Sequence, residues 1–147
     1  MVGPGVLRRL VQEEVNAEFK IHKHVDDRGW LAELVPASFG SVGHVYVTTC
    51  LPGVVKAWHR HERQTDRFIV ISGRLLVGLN NESMQKSVVM MPFESVLVIH
   101  PGVWHGFSAL GNEEAVVLNC TDRPYDPTDE LRMPADSFGF RWEPFSR

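Results

Sequence analysis

Three histidines and a carboxylate stand at spacings from which one reactive site can be built. His59 and His61 are two residues apart, so on a β-strand their side chains point to the same face. Asp66 follows, and His105 comes just after a turn rich in proline and glycine. Imidazole accepts or donates a proton near pH 7, and together with carboxylate it also binds divalent metal ions. The residues leave two chemistries open: acid–base catalysis with His59 as the base, or one ion of iron, nickel, zinc or manganese bound by all four side chains.

Short β-forming runs must position these side chains, and turn residues such as Pro52-Gly53 and Ser72-Gly73 separate them. About eight such runs at this spacing predict an all-β sandwich or barrel. Three of them are apolar on both faces and are expected to be covered on both sides: Phe68–Ile71, Val96–Ile99 and Val116–Leu118. The predicted strands are Trp30–Val35, Val42–Thr49, Val54–His59, Asp66–Ser72, Arg74–Leu79, Lys86–Met91, Ser95–Ile99 and Ala115–Cys120.

The two ends of the chain depart from this strand pattern. Gly5–Phe19 has apolar residues near helical spacing and predicts a short N-terminal segment that is helical or irregular. The C-terminal segment 126–147 begins with a run rich in proline and aspartate, and we expect it to wrap a barrel of residues 26–125 as an ordered tail. Because no linker or repeat divides the chain, we expect a single domain over residues 1–147.

Composition narrows the classes of partner. The chain has 147 residues, of which 44% are hydrophobic and 22% are charged, as in a globular protein. Its net charge of −3 implies no basic face, so neither nucleic acid nor a membrane surface is expected as a partner. Cys50 and Cys120 lie in apolar surroundings and the N-terminus lacks a signal-peptide pattern, which favours a reduced, cytoplasmic protein.

The run Gly53–Gly73 resembles the first motif of the cupins. It reads Gly, five residues, His-x-His, four residues, an acid, six residues, Gly, with Asp66 in place of the usual glutamate. Gly102 and His105 match the centre of the second cupin motif. The resemblance implies a double-stranded β-helix, or jelly roll, whose barrel mouth holds the site.

Longer stretches resemble the dTDP-4-dehydrorhamnose 3,5-epimerases and the related nucleotide-sugar ketoisomerases. Asp26–Glu33 resembles the epimerase run D-x-R-G-x-F-x-E, Gly53–His59 resembles G-V-x-R-G-L-H, and His100–Phe107 resembles I-P-x-G-x-x-H-G-F. The resemblance implies that Arg28 and Glu33 contact a nucleotide. It also implies that the substrate is a nucleotide-linked sugar.

The same resemblance implies roles for the residues of the mouth. His59 is the general base, Lys56 holds the diphosphate, and Arg67, where the family has a catalytic lysine, stabilises an enolate. His61 and His105 orient the base or line the pocket, Gln64 matches a glutamine of the ketoisomerases, and Trp104 lines the mouth. The family's tyrosine acid falls on Leu118, so Tyr46 and Tyr125 are the candidates to replace it.

The leading hypothesis is an isomerase or epimerase that removes a proton next to the ketone of a 4-keto-6-deoxy sugar, without a metal or organic cofactor. One alternative is a mononuclear metal cupin, similar to a dioxygenase. Another is a cupin that binds a sugar without turning it over. A homodimer is expected because family members pair through sheet edges that otherwise stay open. His22, His24 and His44 are interpreted as ordinary strand histidines.

Overall fold

The computed structural model describes residues 16–143. Its regular structure is nearly all β, with three 3-10 helices of three residues each at Ala37–Phe39, Pro127–Asp129 and Ser137–Gly139. The strands are, in chain order, β1 (Asn16–Lys20), β2 (His22–Asp26), β3 (Gly29–Glu33), β4 (His44–Cys50), β5 (Val55–Arg60), β6 (Asp66–Ser72), β7 (Leu75–Asn81), β8 (Met84–Met90), β9 (Ser95–Ile99), β10 (Trp104–Ala109), β11 (Ala115–Thr121) and β12 (Leu131–Arg132).

Two five-stranded antiparallel sheets form the body of the molecule. One has the strand order β1-β9-β6-β11-β4 and the other has the order β12-β5-β10-β7-β8. Apart from β7 and β8, neighbours in each sheet are not consecutive in the chain, so the chain crosses repeatedly from one sheet to the other, which is the jelly-roll arrangement. Strands β2 and β3 form a separate hairpin. The predicted jelly-roll fold is therefore confirmed.

The main core lies between the two sheets. Leu79 and Phe107 contribute to it from one sheet, and Phe68 and Val117 from the other. These side chains lie on one face of their strands because successive residues of a strand point to opposite faces. The core fills most of the barrel and leaves one end open for polar side chains.

The outer face of the first sheet carries a second apolar cluster. Ile69, Val96 and Val98 are buried there, with Leu34 and Phe39 from the segment after the hairpin packed against them. This explains why these strands are apolar on both faces, and it confirms the prediction that they are covered on both sides.

The C-terminal tail covers the outer face of the second sheet. Trp58 is buried there against Phe138, Phe140 and Trp142, with ring centroids 5.0–5.2 Å apart. Gly78 lies beneath these rings, and a Cβ at this position would stand 2.8 Å from Trp58 and 2.9 Å from both Phe140 and Trp142. These contacts hold the described part of the tail against the barrel.

The structure corrects the predicted secondary structure at the N-terminus and adds three strands. The helix predicted over Gly5–Phe19 is wrong for residues 16–19, which begin β1 and pair with β9, while residues 5–15 lie outside the described residues. Sheet pairing outweighed the weak helical pattern there. The sequence pattern also missed the hairpin strand β2, the strand β10 and the short strand β12. None of the helical segments in residues 16–143 has the length and apolar character needed to cross a membrane.

Candidate active site

Three strands bring the predicted histidines and Asp66 together at one end of the barrel. His59 lies near the end of β5 and is the register partner of His105 on β10. His61 follows the last residue of β5, and Asp66 is the first residue of β6. The His59 and His105 ring centroids are 4.2 Å apart, and the His61 ring lies 5.8 Å from the first and 5.9 Å from the second. The structure therefore gathers all four residues of the predicted cluster.

The Asp66 carboxylate is the centre of this cluster. Its Oδ2 lies 2.9 Å from His105 Nε2 and 3.6 Å from His61 Nε2. Its Oδ1 accepts hydrogen bonds from Gln64 Nε2 at 2.8 Å and from Asn119 Nδ2 at 2.9 Å. Burial alone would raise the pKa of Asp66, but the contacts with His105, Asn119 and His61 together hold this pKa below its usual value. The carboxylate is therefore ionised at neutral pH.

Backbone carbonyls fix the orientation of two of the rings. His61 Nδ1 lies 2.9 Å from the Asp129 carbonyl oxygen, and His105 Nδ1 lies 2.9 Å from that of Val103. Since a carbonyl only accepts, each Nδ1 carries a proton, and each Nε2 is directed at Asp66. His105 Nε2 is at ion-pair distance from the carboxylate but makes no aligned hydrogen bond with any described residue.

Asp129 also fixes the loop that follows β5. Its buried carboxylate accepts hydrogen bonds from the backbone N–H groups of Glu62, Arg63 and Gln64, at 3.0, 3.1 and 3.0 Å. This loop connects His61 to Asp66 and carries the Gln64 side chain to the carboxylate. A single residue of the tail thus positions both a ring and a loop of the site.

His59 differs from the other two histidines. Among residues 16–143, no group hydrogen-bonds to its ring, and the ring lines an open cleft of about 470 Å³. Burial, and then the nearby His105, hold the pKa of His59 well below its usual value. The ring is therefore neutral at pH 7 and can accept a proton from a bound molecule.

Tyr46 lines the same cleft. Its hydroxyl accepts a hydrogen bond from Asn119 Nδ2 at 2.8 Å, which leaves its own proton free to be donated into the cleft. Burial, reinforced by the charge of Asp66, raises the pKa of Tyr46. The hydroxyl is thus protonated at neutral pH, so the cleft holds a neutral base and a proton donor together.

Two cations reach this cleft. Lys56 Nζ donates to Thr48 Oγ1 at 3.4 Å. Arg132 is the register partner of His59 across the β12–β5 pairing, and it forms an ion pair of 3.0 Å with Glu130. Lys56, which the resemblance assigned to the diphosphate, thus lies at the cleft, and no local pattern indicated Arg132.

Two predicted site residues point away from the cleft. Arg67 is buried on the outer face of its strand, where its guanidinium donates to the carbonyls of Phe39 at 2.6 Å and Ser41 at 2.9 Å. Trp104 packs with the guanidinium of Arg60, 5.0 Å from its ring centroid. Both predictions are corrected for one reason: Arg67 and Trp104 are neighbours of inward-facing residues, and consecutive strand residues face opposite sides.

Three further predicted residues lie elsewhere. Arg28 is exposed on the hairpin and pairs with Asp26, while Glu33 contacts His24. Tyr125 is 63% exposed and does not line the cleft, whereas Tyr46 does. The position where the resemblance placed the acid is on the outer face of β11, since Leu118 packs with the second apolar cluster.

Sequence reasoning missed several residues that build the site: Asn119, Asp129, Glu130 and Arg132. Asn119 lies opposite Tyr46 in the β11–β4 register, and no local pattern reveals that register. The other three belong to the tail, whose composition indicates turns but not where they lie on the barrel. Only the proline and aspartate content of the tail indicated an ordered segment.

The inner cluster also has the donors of a metal site. One ligand atom from each of His59, His61, Asp66 and His105 lies within 4.8 Å of the others. A lone pair on His105 Nε2 and an ionised oxygen 2.9 Å away repel each other, so a proton or a cation has to lie between them. Imidazole and carboxylate donors suit iron, nickel, zinc or manganese, so the residues present fit a divalent ion.

Comparison with known proteins identifies the family of the chain. A family model described as "Polysaccharide biosynthesis C-terminal domain" matches residues 24–131. The spore coat polysaccharide biosynthesis protein SpsL of Bacillus subtilis (strain 168) is 35% identical over 138 residues, covering 84% of this chain and 91% of SpsL. The probable low-salt glycan biosynthesis epimerase Agl13 of Haloferax volcanii is 32% identical over 128 residues, covering 77% of this chain and 82% of Agl13.

A solved structure gives the same result at the level of the fold. The dTDP sugar isomerase from Desulfovibrio desulfuricans G20 superposes with a TM-score of 0.79 at 29% identity, covering 88% of this chain and 91% of the isomerase. The fold and the site thus define a cupin of the type found in sugar isomerases and epimerases. The chain belongs to the polysaccharide biosynthesis C-terminal domain family.

Proposed function

We propose that the protein is an isomerase or epimerase that acts on a nucleotide-linked 4-keto-6-deoxy sugar by moving a proton next to the ketone. Relatives named as a glycan biosynthesis epimerase and a dTDP sugar isomerase support this class of reaction. The observation that carries the proposal is that His59, a neutral ring without a hydrogen-bond partner in the described residues, lines one cleft with the Tyr46 hydroxyl.

His59 is the general base. A ketone acidifies the hydrogens on the adjacent carbons, and a neutral imidazole facing the cleft can remove one of them. His61 and His105 are held by backbone carbonyls and ordered around Asp66, so they support the mouth in which His59 acts. In this scheme the proton moves from carbon to His59 and leaves an enolate.

Tyr46 is the acid that returns a proton. Its hydroxyl keeps its proton at neutral pH, and Asn119 holds it in place. Return to the opposite face of the same carbon gives epimerisation. Delivery to the former carbonyl carbon, with the proton of the neighbouring hydroxyl moving to the former carbonyl oxygen, gives a ketoisomer.

Lys56 and Arg132 supply positive charge at the cleft. A cation stabilises developing enolate charge or binds a diphosphate, and guanidinium and ammonium groups serve both purposes. Arg132 lies across from His59 in the strand register, and Arg67 faces the outer side of the sheet. We therefore assign to Arg132 the stabilising role first predicted for Arg67.

Deuterium exchange tests the proposal. The protein is incubated in heavy water with TDP-4-keto-6-deoxyglucose, and proton NMR follows the carbons next to the ketone. We expect incorporation by the wild type and a rate lower by about 10²- to 10⁴-fold in His59→Gln, the usual contribution of a general base. His100→Gln serves as the matched control, because His100 is half-buried outside the cluster and the cleft lining.

Two results would reject the proposal. One is an exchange rate in His59→Gln equal to that of the wild type. The other is tight binding of the nucleotide sugar with neither exchange nor turnover by the intact protein, which is the result expected of a non-catalytic sugar-binding cupin.

A metal-dependent cupin is the second candidate, and the contact between His105 Nε2 and the Asp66 carboxylate favours it. His59, His61, Asp66 and His105 would hold one divalent ion, which would supply Lewis acidity when bound. Elemental analysis of protein purified without chelators tests this candidate. About one equivalent of metal per chain, lost in His61→Ala, supports it, and a wild type free of metal contradicts it.

We also propose a homodimer located in the cytoplasm. Strand β4 is an edge strand with Val45 and Val47 exposed, a surface suited to pairing with a second chain. Arg28 can take its predicted nucleotide role if the hairpin of one chain approaches the cleft of its partner. Light scattering after size exclusion should give twice the chain mass of 16.6 kDa. The two buried, free cysteines suit a reducing compartment.

A further inference from the structure

A second cavity lies on the outer side of the second sheet, apart from the cleft that holds His59. Its volume of about 550 Å³ is in the range of about 300–1,000 Å³ that is typical of small-molecule sites. Strands β5, β7 and β10, the turn between β7 and β8, and the C-terminal tail all contribute to it. The side chains that matter for its chemistry are Arg60, Asn80, Asn81, Glu82, Trp104 and Phe138.

The alternation of side chains along the strands separates this cavity from the cleft. His59 and His105 point into the barrel, so Arg60 and Trp104, their neighbours in the chain, point to the outer side of the sheet. Asn80 is the register partner of Trp104 and shares that outer face. Trp104, predicted from sequence to line the mouth, therefore lines a different site.

Two aromatic rings form one wall of the cavity. The Arg60 guanidinium lies over the Trp104 ring, 5.0 Å from its centroid, and the Phe138 ring lies 5.8 Å from the same ring at an interplanar angle of 46°. Gln85 Nε2 donates to the Phe138 carbonyl at 2.9 Å, which fixes the tail at this point. Phe138 also contacts Trp58, but its side chain remains 37% exposed. The wall is thus held in place and offers apolar surface to a ligand.

Two amide side chains line the cavity beside these rings. Asn81 Oδ1 accepts hydrogen bonds from the Ser83 N–H at 3.0 Å, the Ser83 hydroxyl at 3.1 Å and the Met84 N–H at 2.9 Å. These donors fix the orientation of the amide, and Asn81 Nδ2 has no partner within residues 16–143. The half-buried Asn80 amide makes no side-chain hydrogen bond with the described residues either. The cavity therefore offers both donors and an acceptor to a polar ligand.

The charges of the cavity disfavour a phosphate group as its occupant. Arg60 is already paired with Glu62, at 2.6 Å, and Glu82 adds a carboxylate to the lining. Phosphate recognition depends on available cations. The cleft, by contrast, has Lys56, whose ammonium contacts a hydroxyl and no carboxylate among the described residues. The occupant that fits the second cavity is uncharged, with an apolar face and several hydroxyl groups.

We propose that this cavity is a binding site for a neutral sugar ring. One face of a pyranose consists of C–H groups and packs against aromatic rings such as Trp104 and Phe138. The hydroxyls at its rim both donate and accept hydrogen bonds, and so do the amides of Asn80 and Asn81. The proposal goes beyond the reaction assigned to the cleft and does not depend on it.

Nuclear magnetic resonance of the isotope-labelled, full-length protein tests the site. The probes are methyl α-L-rhamnopyranoside, which is a neutral 6-deoxy sugar, and methyl α-D-glucopyranoside. At least one of them should give saturable shifts at the Trp104 indole N–H and at the side-chain amides of Asn80 and Asn81. TDP, which carries phosphates, should leave these three groups unchanged.

Two variants remove different parts of the site. Asn80→Ala should raise the dissociation constant of the sugar about 2- to 10-fold, the usual effect of one hydrogen bond. Trp104→Leu should raise it by about tenfold, the upper end of what one aromatic contact contributes. Asn112→Ala is the matched control, because Asn112 is an exposed amide outside the cavity, and it should keep the wild-type affinity. A backbone amide spectrum that changes only near the substitution shows that each variant is folded.

Three results would overturn the proposal. The first is the absence of saturable shifts with both sugars. The second is a set of shifts confined to residues of the cleft. The third is a dissociation constant that is the same in the wild type, in Asn80→Ala and in Trp104→Leu.

Discussion

The barrel mouth and the hairpin carry nearly the same set of side chains in opposite surroundings. Each has two histidines at alternate positions and a nearby carboxylate. In the mouth, Asp66 is buried and both of its oxygens have partners, whereas Glu33 on the hairpin is exposed to water. Residue types and spacing therefore define a ligand set, while burial decides whether it can do proton chemistry. In the mouth, burial holds the pKa of His59 well below its usual value.

The largest difference is expected when each carboxylate is neutralised. Asp66→Asn should lower the free energy of unfolding by about 3 kcal/mol, because it removes a buried carboxylate that accepts hydrogen bonds from Gln64 and Asn119. The matched variant Glu33→Gln should cost less than about 0.5 kcal/mol, as loss of an exposed ion pair does. Urea denaturation in the presence of a chelator measures both. Equal losses would show that burial does not separate the two regions.

Removal of the Tyr46 hydroxyl should distinguish proton return by Tyr46 from proton removal by His59. Tyr46→Phe keeps the ring in the cleft but removes the only proton that Tyr46 can donate. We expect product formation to fall by about 10²-fold, the lower end of a general acid's contribution, while deuterium exchange through His59 falls less. Comparison of the two rates on one substrate checks this. An equal fall in both rates would mean that Tyr46 acts on the removal step as well.

The shifted histidine pKa should make stability depend on pH. The pKa of His59 is lower in the folded protein than the value of about 6.5 in the unfolded chain, so below that pH the unfolded state binds more protons. The free energy of unfolding should therefore decrease as pH falls below about 6.5, by up to about 1.4 kcal/mol per pH unit. Denaturation at pH 7.5, 6.5 and 5.5 measures this slope, which His59→Gln should reduce. A slope unchanged in that variant would contradict the placement of His59.

The smallest effect on stability is expected at Arg28. Its side chain is 85% exposed and its ion-pair partner is Asp26 on the same hairpin. Arg28→Ala should therefore change the free energy of unfolding by less than about 0.5 kcal/mol. If the partner's hairpin reaches the cleft, the same variant should raise KM for the nucleotide sugar several-fold with little change in kcat. A KM unchanged in Arg28→Ala would leave the hairpin without a role at the substrate.

Local patterns predicted most of the strands and the heart of the site. The bounds of β6 and β9 agree with the prediction, because buried apolar runs with turn residues at both ends leave little freedom of assignment. The expectation that His59 and His61 point to the same side followed from the two-residue period of side chains along a strand. Arg67 and Trp104 were misplaced because resemblance by position ignores the side to which a strand residue points.

The sequence by itself determined the set of reactive side chains, the all-β character and the cupin pattern, since each depends on residues close together in the chain. The tertiary structure decided which carboxylate contacts which ring and which tyrosine faces the cleft. It also decided that the tail supplies Asp129 and Arg132 to the site. These depend on strand register and on contacts between segments far apart in sequence. Such contacts follow from the packing of the whole barrel, and no local spacing specifies them.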